Sequence, residues 1–329
     1  MTGKSSISVV VGATGYLGAH IAQKLSGTHD TVHAFGQKQS GFATQPQSSQ
    51  INHTGDICHP KTIEKIVDLS PDSVIYCVSL DQRDSEVDIQ RTLDVNVKAL
   101  WTLAHRLDQV IQKPIRFVYL STAHVYGILN GAITEALPPQ PRSAYGLTHL
   151  MCEQVLSRYA DRGIIDPVSV RLSNGYGPPV SSNPGCWSLV VNDFCRSIVE
   201  KKRIQLSSDG TPQRDFVFVD DIADAISEFL RVPADKLRPV YNLASGQTKT
   251  MLELAIEVKS SYRKRTGDDC PIILGDGTVV DEERESSKSA VSRKFLFDNT
   301  AFQKLGGRKG ISMDAGTNKL FDFLEGRKL

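Results

Sequence analysis

Residues 9–18 read Val9-Val10-Val11-Gly12-Ala13-Thr14-Gly15-Tyr16-Leu17-Gly18, a buried-strand pattern that passes through glycines into a helical one. The β-branched run over residues 6–11 predicts a first strand, and Leu17, Ile21 and Leu25 then recur on one face of a helix. Gly12 permits the tight turn, Gly15 lets the backbone approach a pyrophosphate, and Gly18 lets the helix pack closely on the strand. The first helical turn, at Tyr16 and Leu17, offers free N–H groups to the phosphates. An ordinary βα turn can also carry glycines. A triplet placed directly after the first strand is the pattern of a dinucleotide site. The expected fold class is therefore α/β, a doubly wound parallel sheet.

Composition sets the outer limits. At 329 residues the chain suits one large α/β domain with a smaller C-terminal lobe. Hydrophobic residues make up 40%, enough for a substantial core. Lys and Arg total 38 against 37 Asp and Glu, so no global field favours nucleic acid or an anionic membrane, and a small-molecule partner is expected. Six cysteines (Cys58, Cys77, Cys152, Cys186, Cys195, Cys270) show no CxxC spacing, which argues against a disulfide framework or a zinc site. We expect free thiols in a reducing cytosol and no metal. The apolar run at the amino terminus is too short for a signal peptide, and no stretch approaches a membrane span, so a soluble cytoplasmic protein is expected.

Along the chain, residues 31–35 predict the second strand. Its end commonly carries a carboxylate for a ribose 2′-hydroxyl, but here the residues are Phe35-Gly36-Gln37-Lys38-Gln39. Lys38 can pair with a 2′-phosphate, which leaves NADP and NAD both open, or it is a solvated loop lysine. Residues 37–49 form a polar loop. A helix over 61–69, a strand over 73–78 and a long amphipathic helix over 88–109 follow, the last with Ile89, Leu93, Val97, Leu100, Ala104 and Leu107 on its apolar face. Asn96 within it is expected to hydrogen-bond the neighbouring active-site strand, or else to be solvated.

The strand over 115–120 runs into Ser121-Thr122-Ala123-His124-Val125-Tyr126-Gly127. Ligands bind at the carboxyl ends of strands in such sheets, where the Thr122 hydroxyl can exchange hydrogen bonds with a reacting oxygen. His124 is an acid or base near neutrality, or merely a hydrogen-bonding group. On a helix over residues 143–162, Tyr145 and His149 are four residues apart and share one face. After the strand over 166–172, glycines and prolines mark a crossing into the second lobe. The segment Gln213-Arg214-Asp215-Phe216-Val217-Phe218-Val219-Asp220-Asp221 places a guanidinium suited to a diphosphate at Arg214, the alternative being a pairing with Asp215 or Asp220. Asp221 is expected to cap the next helix. Residues 263–288, charged and poor in apolar residues, are expected to be a loop closing over substrate.

These segments together resemble the extended branch of the short-chain dehydrogenase/reductase superfamily. GATGYLG is similar to its GxxGxxG turn, Asn96-Val97 to its NV pair, residues 121–127 to S(S/T)xxVYG, and Tyr145 to the tyrosine of YxxxK. Residues 171–178 are similar to RxxNxYGP, and 210–220 to GxxxRDFVxVxD. The resemblance runs from residue 7 to about residue 325. It implies a Rossmann domain over 1–175, rejoined by 212–245, and a substrate lobe formed by 176–211 and 246–329. It also implies NAD(P)-dependent chemistry on a nucleotide-activated sugar.

By resemblance, Asp56 and Ile57 contact the adenine, although Asp56 also reads as a cap or turn residue. Thr122 and Tyr145 handle the hydroxyl proton, and Asn174 and Arg214 hold the substrate phosphates. A homodimer through the helix over 88–109 and the Tyr145 helix is implied. Two departures are informative. Ala123 and His124 stand where the dehydratases carry Asp-Glu, leaving no evident catalyst for loss of water. His149 replaces the YxxxK lysine. Protonated, it partly imitates the ammonium; neutral, it donates one hydrogen bond and leaves Tyr145 a general acid. A 4-epimerase and a 4-ketoreductase remain as enzyme readings. The alternative is a catalytically degenerate nucleotide-binding regulatory or scaffold subunit.

Overall fold

The computed structural model describes residues 6–28, 31–43, 49–181, 185–280, 294–307 and 310–326. Seven parallel strands form the main sheet: β1 (Ile7–Val11), β2 (Thr31–Gly36), β3 (Gln50–Thr54), β4 (Ser73–Tyr76), β5 (Ile115–Thr122), β6 (Ile165–Leu172) and β7 (Val240–Leu243). Their order is β7-β6-β5-β4-β1-β2-β3. The order reverses between β4 and β1, and the crevice beyond their carboxyl ends is where this topology places a ligand.

Period-two alternation decides which face each strand residue serves. On β5, Phe117 and Tyr119 join the core shared with α2 (Pro60–Asp68), α5 (Ala99–Val110) and α6 (Ala144–Ala160). Val118 and Leu120 join the opposite core with α1 (Tyr16–Ser26) and α8 (Val219–Arg231). Between the cores and below the crevice, Arg171 and Glu153 form a buried ion pair at 2.7 Å, and Glu153 also accepts from the Ser121 hydroxyl at 2.5 Å. Arg171 further stacks over the Tyr126 ring at 4.8 Å. A third core, including Phe194, Ile198, Leu254, Val258, Leu320 and Phe321, joins α7 (Val190–Lys201), α9 (Met251–Thr266) and α11 (Met313–Leu324).

Several expectations are corrected. The predicted helix over 88–109 is broken into α4 (Ile89–Thr92), a π-helical turn at Leu93–Lys98, and α5. The wide turn carries Asn96 inward, and such turns concentrate at functional sites. Asp221 is not a helix cap. Phe218 takes that position, and Asp221, one turn in, accepts from the Ile311 amide at 3.0 Å. The expected loop over 263–288 begins inside α9, and Ile272–Ile273 pairs as a strand with Ile204–Gln205. Its stretch 281–288 lies outside the described residues. No disulfide joins any of the six cysteines among the described residues. Among the described residues no helix is long and apolar enough to cross a membrane, and no group of His, Cys, Asp or Glu is arranged to hold a metal ion.

Candidate active site

The glycine turn is built as its residue types dictate. Gly12 has φ +91°, and a Cβ on Gly18 would lie 2.2 Å from the Gly12 carbonyl oxygen. The start of α1 has no side-chain cap and no acidic residue in its first turn. Its leading N–H groups therefore lack intrahelical acceptors and favour an anion. Beside it lies a cleft of about 270 Å³, lined by residues that include Gly12, Thr14, Gly15, Gly36, Gln37, Asp56, Ile57, Ser79 and Arg91. Its lining reaches from β2 to the loop after β4.

Not every expected cofactor residue lines this cleft. Lys38 is exposed outside it, whereas Gln37 lies inside. Gly36 ends β2 without a side chain because Thr14 occupies the space: a Cβ there would meet the Thr14 methyl at 2.1 Å. Tyr16 turns away and donates its hydroxyl to the Gly177 carbonyl at 2.8 Å. Leu17 packs into the core, so Tyr16 and Leu17 offer the cleft only backbone. Asp56 accepts from the Cys58 amide at 2.9 Å in a local turn while still lining the cleft.

At the other end, four residues on β5, the following loop and α6 converge. Ser143 caps α6, its hydroxyl accepting from the Gly146 amide at 3.1 Å, which fixes the turn bearing Tyr145. The Tyr145 phenol faces Thr122, and its ring sits edge-on to His124 at 5.6 Å and to His149 at 4.5 Å between centroids. Burial raises the Tyr145 pKa above its ordinary value of 10.0, and Asp81 adds to this while the Thr122 hydroxyl opposes it. Burial lowers His149 to about 3, with His124 adding to the shift. His149 is therefore neutral, and the protonated alternative is not realised. Loss of water around its ring, then the charge of Arg214, lowers His124 below 6.5.

Arg214 is exposed and donates to the Gln213 carbonyl at 3.0 Å, with no recorded ion pair to Asp215 or Asp220. Asp215 is instead buried and accepts from Ser173, Ser245 and Gln247. The Asn174 side chain donates to the Asp215 carbonyl at 2.8 Å. Asn96 bridges the loop after β4 to α6, accepting from the Leu80 amide at 2.8 Å and donating to Thr148 at 3.1 Å. Its partners are that loop and α6 rather than the neighbouring active-site strand expected from the sequence.

Residues 8–244 match the NAD-dependent epimerase/dehydratase family, spanning both the glycine turn and this cluster. The chain belongs to that family. Among its relatives, the dTDP-L-rhamnose 4-epimerase of Burkholderia thailandensis is 38% identical over 125 residues, 38% of this chain. The chain spans only 34% of that relative's length. The UDP-glucose 4-epimerase of Mycoplasma pneumoniae is 23% identical over 92% of this chain and 98% of its own. The UDP-glucuronic acid 4-epimerase of Bacillus cereus, solved with UDP-glucuronic acid and NAD, superposes with a TM-score of 0.77 at 22% identity, covering 97% of this chain and 99% of its own. At that identity the likeness establishes the epimerase/dehydratase fold alone.

Sequence reasoning missed Ser79, Thr14, Gln37 and Arg91 in the cleft and Tyr119 behind His149. Strand-end position was the one available signal, since Ser79 and Tyr119 lie near the carboxyl ends of β4 and β5.

Proposed function

We propose that this chain is an NAD-dependent 4-epimerase of a nucleotide-activated sugar. The observation that carries the reading is the Tyr145 phenol set against Thr122 and flanked by two histidines, beside a cleft bordered by the glycine turn. When bound, NAD supplies the oxidation of the sugar alcohol and takes it back. Gly12, Gly15 and the first turn of α1 hold its pyrophosphate, Gln37 its adenosine ribose, Asp56 and Ile57 its adenine, and Ser79, backed by His149, its nicotinamide end. Lys38 has no place in this assignment, which favours NAD over NADP.

Tyr145 keeps its proton at neutral pH and holds the reacting oxygen through its O–H, with Thr122 as second partner. His124, neutral and reaching solvent, accepts the hydroxyl proton and returns it. Arg214 and Asn174 face the diphosphate. An epimerase that regenerates its own coenzyme should carry it through purification, whereas a 4-ketoreductase must exchange it. Purified protein is therefore expected to release NAD on denaturation and to interconvert 4-epimers in a panel of UDP-, dTDP- and GDP-hexoses without added coenzyme. Stoichiometric consumption of added NADH would identify a reductase instead.

The neutral His149 also supports a second reading, a nucleotide-binding subunit without turnover. Activity seen only in His149→Lys would establish that reading. Six cysteines without a disulfide suit the reducing cytoplasm.

The outer faces of α5 and α6 support a homodimer. Trp101 on α5 and Leu93 on the π turn before it are 42% and 38% exposed, beside Val97, His105 and Tyr159 in an open groove. Trp101→Glu is expected to convert a dimer to monomer in light scattering, and a monomeric native protein would refute this assembly.

A further inference from the structure

The group that replaces the family lysine does not stand alone. His149 is buried, its Nδ1 is 2.7 Å from the Tyr119 hydroxyl, and its Nε2 is 3.2 Å from the Ser79 hydroxyl. Ser79 donates its single hydroxyl proton to the Leu80 carbonyl at 2.7 Å. Toward His149 its oxygen can therefore only accept, so Nε2 carries the imidazole proton. Nδ1 is then a bare lone pair, and the Tyr119 hydroxyl must donate to it. Asn96 holds the Leu80 amide at 2.8 Å and so fixes the loop that bears Ser79.

We infer that Tyr119 and Ser79 are positioning residues that lock His149 in a single tautomer, with Nε2–H held on the Ser79 oxygen at the edge of the cofactor cleft. Resting on the epimerase reading, this assigns the two tasks of the usual lysine separately. The contact with the nicotinamide end passes to Ser79, which lines the cleft and, its proton given to Leu80, presents an acceptor oxygen fixed in place by His149. The positive charge beside the tyrosine is given up. Tyr119 reaches His149 because it lies on the α6-facing side of β5, the side opposite Val118. A phenylalanine would fill that space without supplying the proton.

The test is spectroscopic and needs no turnover. In ¹⁵N-histidine-labelled protein, the resonance pair that disappears in His149→Gln is expected to show a protonated Nε2 and an unprotonated Nδ1. Tyr119→Phe should turn that pair into a tautomer mixture and weaken NAD binding about tenfold, the scale of one hydrogen bond lost from a buried imidazole. Ser79→Ala should weaken NAD binding by a similar factor, and Ser79→Thr, which restores the hydroxyl, should recover it. A native protein with Nδ1 protonated, or a Tyr119→Phe protein with unchanged tautomer and NAD affinity, overturns the proposal. Should Tyr119→Phe fail to fold, the native tautomer and the Ser79 pair decide it. Failure of the sugar-nucleotide panel would remove the epimerase reading and leave these measurements standing.

Discussion

Tyr145→Phe is expected to lower turnover roughly 10²- to 10⁴-fold, the range attached to one positioned proton donor, while NAD affinity stays within about twofold of native. The split follows from geometry, because Tyr145 is absent from the residues lining the dinucleotide cleft and meets the reaction only at its hydroxyl. The pH profile of the native protein provides a second readout. A lysine ammonium beside the tyrosine would favour phenolate, but His149 sits at about 3 and supplies no charge. Tyr145, raised above 10.0, stays protonated through neutrality. His124, lowered from 6.5, is in its basic form above that range. Activity should rise with pH below about 6.5 as His124 loses its proton, and stay level until the phenol ionises above about 10. His124→Gln should abolish the acid limb. An acid limb that survives that substitution, or Tyr145→Phe with native turnover, would remove these roles.

The second large effect concerns stability in acid. His149 titrates at about 3 in the fold against 6.5 in the unfolded chain, so the unfolded chain binds the extra proton first. A depressed pKa of this kind contributes stability that is complete above 6.5 and is lost as pH falls toward 3. At 3% exposure the group has little solvent screening. Between pH 7 and about pH 4.5 the loss comes to about 3 kcal/mol, a large share of a typical domain's margin. Urea midpoints at the two pH values should therefore separate widely in the native protein. In His149→Gln, already weaker at neutral pH through its lost hydrogen bonds, the gap should be smaller by about that amount. Equal gaps in the two proteins would mean that His149 is not held neutral by burial.

Some residues announced their roles through type and spacing. The glycines at 12, 15 and 18 have few substitutes where a turn, a phosphate and a helix contact coincide, and the structure uses Gly12 and Gly18 for turn and contact. Thr122 and Tyr145 were legible because strand ends and helical spacing bring such groups to one edge. Others depended on distant partners. Asp221 reads as a cap by its place before an apolar helix, yet its carboxylate is occupied by the Ile311 amide, 90 residues away. Asp215 reads as a pairing partner for Arg214 and instead gathers donors from Ser173, Ser245 and Gln247. Lys38 carried the right charge for a 2′-phosphate but lies outside the cleft.

By itself the sequence determined the architecture and which side chains gather at the carboxyl ends of the strands. Hydrophobic period, glycine placement and the register of four along α6 are local properties that propagate through a regular backbone. Whether His149 is a cation or a neutral donor was decided only in three dimensions. Protonation depends on how much water a group loses and on which dipoles face it, and those come from β4, β5 and the π turn, each remote in the chain from position 149.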